Sequence, residues 1–406
     1  MLVDIGVLSH GEPNRTESDY PLHLVGAYDV CRRDALQRGA GEAVERYALL
    51  PCPEAGPRLF HVSAAELGAE ALPFSDPWAA LGHPDANEIP LDWYRGSRLI
   101  DGSPVLVPAP LADWTGAPGP SSEADYAETI LFDPSPSGAA SGAGHEHATR
   151  SALLEIIERD AVIVAWYAQL ALAAVDINQI VTAAAPTLHR RSLRTLLDGA
   201  RAKGLTPVFA RIPTCTPDLA CTICVIVDRD GGPLGAVGAK ASGDGVRALL
   251  GALQEAMQIH ELLARMRSRL TPPSPGANVV RHDVDRAWAW TMPKTVDALE
   301  RWTATFRVEA WDPPRTTPDL ATLVTGLSAD GANPVVVSLT ERLPAAVRDL
   351  GWSAVKVLCP GYQPLRIDER PIFSLHRERI HSAARRTGRA SALPATEVFP
   401  LPHPLI

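Results

Sequence analysis

The stretch Ala152 to Trp166 constrains this 406-residue chain more than any other. Its apolar residues, from Leu153, Leu154, Ile156 and Ile157 to Val162, Ile163 and Val164, point in every direction around a helix. A helix that is apolar all round is a buried helix. Yet Glu155 and Glu158 stand in the middle of it, three residues apart and therefore on one face, about 5–6 Å from each other. A solvated face is the ordinary reading of an isolated Glu-x-x-Glu, and the apolar surroundings argue against it here. Buried carboxylates are costly unless cations or hydrogen-bond donors meet them. Arg159 can pair with one of them, but not with every oxygen.

The same spacing occurs in Glu42-Ala43-Val44-Glu45-Arg46, on a helix expected from Arg32 to Leu50. The copies lie 155 − 42 = 113 residues apart. That is too far for a solenoid repeat but compatible with two related halves. A third helix, expected over Asp244 to Leu270, carries Glu255 and Gln258 among Leu249, Leu250, Leu253, Ala256, Met257 and Ile259. If three helices turn acidic and amide groups inward, the natural counter-charge is Mg²⁺, which accepts carboxylates together with phosphate oxygens. No Gly-x-x-x-x-Gly-Lys-[Ser/Thr] loop is present, and Gly138, Gly142 and Gly144 do not have dinucleotide spacing. A nucleotide would therefore have to be held through carboxylate–metal bridges.

Composition narrows the classes. Apolar residues make up 46% and charged residues 21%, which fits a globular chain with a sizeable core. The length fits two or three domains or one large body. The net charge of −9 argues against nucleic acid and against anionic membranes. The most apolar run, Ala161 to Val175, is 15 residues with Gln169 inside it; a spanning helix needs about 20. Met1 to Pro13 lacks the features of a signal peptide, and six cysteines are too sparse for a disulfide scaffold. A cytoplasmic protein is expected.

Elsewhere, Leu2 to Val7 reads as a strand, residues 51–125 as loops and short strands, and Asp101-Gly102-Ser103-Pro104 as a hairpin turn. Pro134 to Gly144 reads as a small, flexible loop before the buried helix. Thr182 to Lys203 reads as an amphipathic helix. Thr206–Ile212, Cys221–Val227, Pro334–Leu339 and Ala354–Leu358 read as strands, with a helix at 341–350. Cys221 and Cys224 have zinc-ligand spacing but no second ligand pair, so a buried strand is the better reading. His145 and His147 read as a solvated helix start. Arg377, Arg379, Arg385, Arg386 and Arg389 read as a solvated helix, or else as a surface for a partner or an acidic leader.

In this order, these motifs resemble the YcaO family, ATP-dependent enzymes that modify peptide backbone amides. The resemblance runs from about residue 25 to the end. Its strongest segment is Ser137 to Ala161, a small-residue loop followed by Glu-x-x-Glu-Arg-Asp-Ala. Glu42 to Tyr47 matches the family's first acidic helix and Ala252 to Gln258 the third. Val355-Lys356-Val357-Leu358-Cys359-Pro360-Gly361 is similar to its late strand. Pro400-x-Pro402-x-Pro404 is similar to the ending of members that make azolines.

The resemblance implies an α/β (α+β) fold of mixed sheets packed by long helices, with two related Glu-x-x-Glu-Arg halves. It implies a catalytic body over residues 1–390, with subdomains near 1–130 and 131–390, and a proline-rich tail over 391–406. Glu42, Glu45, Glu155, Glu158 and Glu255 would hold Mg²⁺ and the ATP phosphates. Arg159 would contact phosphate and Gln258 would support the nucleotide. The tail, through Pro402, Pro404 and the carboxylate of Ile406, would orient the reacting groups. The implied reaction is cyclodehydration of Cys, Ser or Thr in a ribosomally made precursor peptide to thiazoline or oxazoline. Thioamide or amidine formation is the alternative chemistry.

The chain begins close to the catalytic motifs. A separate leader-binding partner (E1-like/ThiF-like) is therefore expected, with a dehydrogenase as a further partner and a homodimer or hetero-oligomer as the assembly. Four positions depart from the family pattern. Tyr28 stands where Lys is usual, Arg38 where Ser is usual, Ser137 where Asn is usual and Gly251 where Arg is usual. They supply the rival reading, a degenerate scaffold or partner-binding subunit without efficient ATP turnover.

Overall fold

The computed structural model describes residues 2–4, 24–52, 54–114, 130–183, 187–269 and 279–406. The first strands in chain order are β1 (Leu2–Asp4), β2 (Leu24–Gly26), β3 (Leu59–Val62), β4 (Leu91–Arg98), β5 (Pro104–Pro108) and β6 (Ala139–Ala143). Then come β7 (Ala173–Ala174), β8 (Val208–Ile212), β9 (Ala220–Asp228), β10 (Leu234–Ser242), β11 (Arg307–Val308), β12 (Val335–Ser338) and β13 (Trp352–Leu358). The four longest helices are α1 (Arg32–Leu49), α2 (His145–Tyr167), α3 (Leu188–Ala202) and α4 (Gly245–Arg269). Among the described residues no helix is long and apolar enough to cross a membrane.

The chain forms two units, each assembled from separate stretches. The first comprises Met1–Ala27, Ala35–Ile156 and Asp319–His376; the second comprises Tyr28–Asp34, Ile157–Pro318 and Arg377–Ile406. The division between the units falls inside α2, between Ile156 and Ile157. The tail therefore belongs to the second unit.

The first unit is built on a sheet of order β3-β4-β12-β13-β6, with β5 paired to β4. The hairpin expected at Asp101–Pro104 joins β4 to β5, with Ser97 opposite Pro104. Gly102 adopts φ +73° in the turn, and Asp101 accepts the Ser103 N–H at 2.9 Å. Trp93, Phe74, Leu72 and Leu49 are fully buried beside it. The small-residue loop is more regular than expected, because its residues 139–143 form the edge strand β6 against β13.

The second unit carries a sheet of order β10-β9-β8-β7-β11, in which β11 and β7 run parallel and the other pairs antiparallel. Cys221 and Cys224 are both buried in β9. Helix α4 lies on β10 at a distance that only glycine permits, since a Cβ at Gly238 would meet the Ala252 carbonyl oxygen and the Ala256 nitrogen at 2.3 Å. Asp244 caps α4 by accepting the N–H groups of Val246 (2.9 Å) and Arg247 (3.1 Å). Trp166 of α2 packs edge-on against Trp290 and Trp302, with ring centroids 5.4 and 5.2 Å away. Aromatic pairs in this geometry contribute about 0.5–1.5 kcal/mol each beyond their burial.

Two stretches without a reading from sequence form regular elements, and one expectation is corrected. The stretch between β9 and α4 carries the nine-residue strand β10. The segment after α4 holds helices at Asp283–Ala289, Pro293–Thr303 and Leu320–Ala329. The arginine run is not simply solvated. It forms short helices at Arg377–His381 and Ala383–Thr387, and Arg379 is buried with a two-point bond to Asp160 at 2.5 and 2.8 Å. Asp160 thus has its charge balanced by a partner that sequence spacing could not reveal.

Candidate active site

The predicted carboxylates fall into two groups, one in each unit. In the first unit, α1 supplies Glu42 and Glu45 and α2 supplies Glu155. Strand β13 contributes a residue the sequence did not single out for the site, Lys356, which is 2% exposed. Its ammonium donates to the carbonyls of Ser135 (2.6 Å) and Ser137 (2.7 Å). Burial lowers Lys356 to about 8, against the opposing pull of Glu155 and Glu45. Burial raises Glu45 to about 8, and the charges of Glu155 and Glu42 add to the rise while Arg46 and Lys356 oppose it. Glu42 lies 3.8 Å from Arg46, one turn on, and Arg46 stacks over Trp114 at 4.8 Å.

The small-residue loop is tied into this group. Gly138 donates its N–H to Glu155 Oε2 at 3.1 Å. Its φ is +79°, and a Cβ there would meet the Val357 carbonyl oxygen at 2.2 Å. Glycine is the residue that this close approach permits. Ser141 Oγ donates to the Gly41 carbonyl at 2.8 Å, fixing β6 to α1 one residue before Glu42.

In the second unit, Glu158 on α2 and Glu255 on α4 meet the edge strand β10. An edge strand presents N–H groups with no neighbouring strand. Here Ala239 donates to Glu255 Oε2 at 2.6 Å and Ala241 to Glu158 Oε2 at 2.7 Å. Between them Lys240, also not singled out from sequence, places Nζ 3.6 Å from Glu158 Oε2. Arg159 Nη2 is 4.0 Å from Glu255 Oε1. Glu158 is 3% exposed. Burial raises it to about 7, Glu255 adds to the rise, and Lys240, Arg159 and the Ala241 N–H oppose it. Gln258 is half-buried on α4, one turn beyond Glu255.

Of the departing positions, Tyr28 is half-buried and Arg38 exposed, while Ser137 supplies its carbonyl to Lys356. Gly251 lies under Lys240, where a Cβ would meet Lys240 Cγ at 2.7 Å.

The tail is held rather than frayed. Phe399 donates its N–H to the Tyr167 carbonyl at 2.8 Å and stacks edge-on against Trp166 at 5.1 Å. Trp166 Nε1 donates to the Leu401 carbonyl at 3.1 Å. Arg286 and Trp290 both donate to the His403 carbonyl, at 3.2 and 3.1 Å. Leu401, His403 and Leu405 are buried, and Pro402 and Ile406 are half-buried. Trp166 is roughly two helical turns beyond Glu158 on α2.

The donor chemistry of both groups fits Mg²⁺. The donors are hard oxygens, and burial together with like charges raises Glu45 and Glu158 in a way a nearby divalent cation would oppose. Among the described residues, no three His, Cys, Asp or Glu side chains are arranged to hold a metal by themselves. A protein that uses one or two carboxylates for Mg²⁺ relies on phosphate oxygens and water for the remaining ligands.

Comparison with solved structures finds the same fold elsewhere. A heterocyclase in complex with substrate and cofactor superposes with a TM-score of 0.68 at 18% identity, covering 94% of this chain and 50% of that one. This chain thus spans about half the length of that heterocyclase. YcaO from Methanopyrus kandleri, bound with AMPPCP and Mg²⁺, matches with a TM-score of 0.53 at 20% identity over 84% of this chain and 81% of that one. A chain of the E. coli microcin synthetase McbBCD complex matches with a TM-score of 0.57 at 13% identity, covering 81% of this chain and 80% of that one. No curated protein matches. The family model described as "YcaO cyclodehydratase, ATP-ad Mg2+-binding" matches residues 30–363. That match takes in α1, α2 and α4, the helices that carry the five predicted glutamates, and on it the chain belongs to the YcaO family.

Proposed function

We propose that this protein is an ATP-dependent cyclodehydratase. Its substrate is a ribosomally made precursor peptide, in which it converts Cys, Ser or Thr to thiazoline or oxazoline. The observation that carries the reading is the two groups of buried and half-buried carboxylates on α1, α2 and α4, held in charged surroundings that a phosphate-bound Mg²⁺ would complete. Glu42, Glu45 and Glu155 in one unit, and Glu158 and Glu255 in the other, are the metal-facing residues. Arg159 offers its guanidinium to phosphate oxygens, and Gln258 supports the nucleotide. ATP, when bound, supplies the phosphoryl group that turns an amide oxygen into a leaving group. The carboxylate of Ile406, at the end of the tail, orients the reacting groups. A separate leader-binding protein brings the precursor, and a dehydrogenase is the natural consumer of the product ring.

The test is incubation with ATP, Mg²⁺, the partner and a precursor rich in Cys, Ser and Thr. The expected product has lost one water per ring, with release of one phosphate. Exchange of oxygen for sulfur, or a ring closed by an amine, would instead assign thioamide or amidine formation. Absence of both mass change and phosphate release across cognate precursors would overturn the enzymatic reading in favour of a partner-binding scaffold. Deleting Pro402–Ile406, or extending the chain beyond Ile406, is expected to lower cyclisation far more than ATP binding. Full activity of an extended protein would remove the tail from the mechanism.

A further inference from the structure

Lys240 is placed unlike any other cation near the carboxylates. It projects from the edge strand β10, between the two residues whose N–H groups hold Glu255 and Glu158. Its stem runs across α4 at Gly251, where a Cβ would stand 2.7 Å from Lys240 Cγ and 3.0 Å from its Cβ and Cδ. These are the first carbons of the side chain rather than its flexible end. Any residue larger than glycine at 251 would therefore push the whole lysine aside. Gly251 is one turn before Glu255 on α4, so the seat and the carboxylate share a helix face.

The ammonium thus delivered is not fully used. Its one ionic contact among the described residues is Glu158 Oε2 at 3.6 Å, longer than the 2.7–3.2 Å of a hydrogen bond. The side chain is 41% exposed while Glu158 beneath it is 4% exposed. An ammonium has three donors and is a point charge suited to phosphate. One that only neutralised Glu158 would sit at hydrogen-bond distance to it. This one stands 3.6 Å off from the carboxylate on a side chain that is 41% exposed.

We propose that Lys240 is a phosphate-binding residue for ATP in the second unit, and that Gly251 is the seat that aims it. The role rests on the reading of Glu158 and Glu255 as part of an ATP–Mg²⁺ site. It adds a cation from the strand, facing the same phosphates as Arg159.

Calorimetric titration with a non-hydrolysable ATP analogue and Mg²⁺ tests it, alongside thermal unfolding of each variant. Lys240→Met keeps the stem over Gly251 and removes the charge. A charge-assisted bond to phosphate predicts a loss of affinity of about tenfold to a hundredfold. Lys240→Arg should retain most of the affinity. Gly251→Arg alone should weaken binding by displacing Lys240, and Lys240→Ala with Gly251→Arg should regain part of it by returning a cation from the helix. Wild-type affinity in Lys240→Met would overturn the role while leaving the site reading intact. A wild-type protein with no affinity would overturn the site reading and this role with it. If Lys240→Met also unfolds more easily, the folded double variant decides, and no recovery in it would overturn the proposal.

Discussion

The two units accommodate the same chemical problem in different ways. In the first, Glu45 and Glu155 share a buried lysine whose own charge is costly there, since burial lowers Lys356 to about 8. In the second, Glu158 and Glu255 accept backbone N–H groups from an edge strand, and the lysine beside them keeps 41% of its side chain exposed. Backbone dipoles are fixed and carry no desolvated ion of their own. A buried ammonium is a full charge whose loss leaves two carboxylates facing each other. Apart from the Gly138 N–H on Glu155, the first group therefore leans on one side chain, whereas the second is held by two strand N–H groups and tolerates loss of its lysine.

The sharpest way to break this comparison is to remove each lysine in turn. Lys356→Met removes the cation that faces Glu155 and Glu45 and leaves the Ser135 and Ser137 carbonyls without their charged donor, and roughly 1.5–3 kcal/mol is expected for that loss. Lys240→Met removes a partly exposed partner at 3.6 Å, for which about 1 kcal/mol or less is expected. Urea unfolding of the two variants should show that order. Equal losses would mean that the second group leans on its lysine as heavily as the first.

Gly138→Ala probes the loop that feeds the first group. The added methyl meets the Val357 carbonyl oxygen at 2.2 Å on a backbone with φ +79°, and about 2–3 kcal/mol of destabilisation is expected. The same variant should weaken ATP–Mg²⁺ binding, because the Gly138 N–H that fixes Glu155 moves with the loop. A stable variant with unchanged affinity would detach the loop from the site.

Acidity gives a subtler comparison. Glu158 at about 7 and Glu45 at about 8 are raised in the folded protein, above the usual carboxylate range. Between pH 5 and 8 the folded state therefore holds protons that the unfolded state has released. Stability from these groups is present at the acid end and is lost as pH rises through 7 and 8. Lys356 is lowered to about 8, so above that pH its effect reverses and stability recovers toward 10. Without Mg²⁺, the unfolding midpoint should pass through a minimum near pH 8. Saturating Mg²⁺ with ATP analogue should flatten the fall. A midpoint that rises steadily from pH 5 to 8 would contradict the raised carboxylates.

Much of this arrangement was legible in the sequence, and the part that was not has a physical cause. Glu155 and Glu158 stood out because charges on a helix that is apolar all round need an explanation, and α1 and α4 followed from the same spacing. The Asp101–Gly102 turn declared itself through residues that favour it. Strand β10 did not, because Leu-Gly-Ala-Val-Gly-Ala-Lys-Ala-Ser is small and glycine-rich. Those glycines serve the contact with α4, not strand propensity. The helix at Pro293 begins with a proline, which closes a helix when inside it and opens one at its first turn. Lys356 and Lys240 were each a lone cation on a strand. Their roles depend on which helix lies across that strand, and no local pattern encodes this. Arg379 looked solvated for the same reason, since its partner Asp160 is far away in the chain.

Glu158→Gln tests the central claim most directly, with phosphate release and thermal unfolding measured on the same samples. Glutamine keeps the shape and can still accept the Ala241 N–H, while the charge proposed to face Mg²⁺ is removed. The account predicts that phosphate release is lost while the unfolding midpoint at neutral pH holds or rises, because a costly buried charge has been deleted. A lowered midpoint with phosphate release intact would contradict it, and would make Glu158 a structural partner of Lys240 and β10 alone.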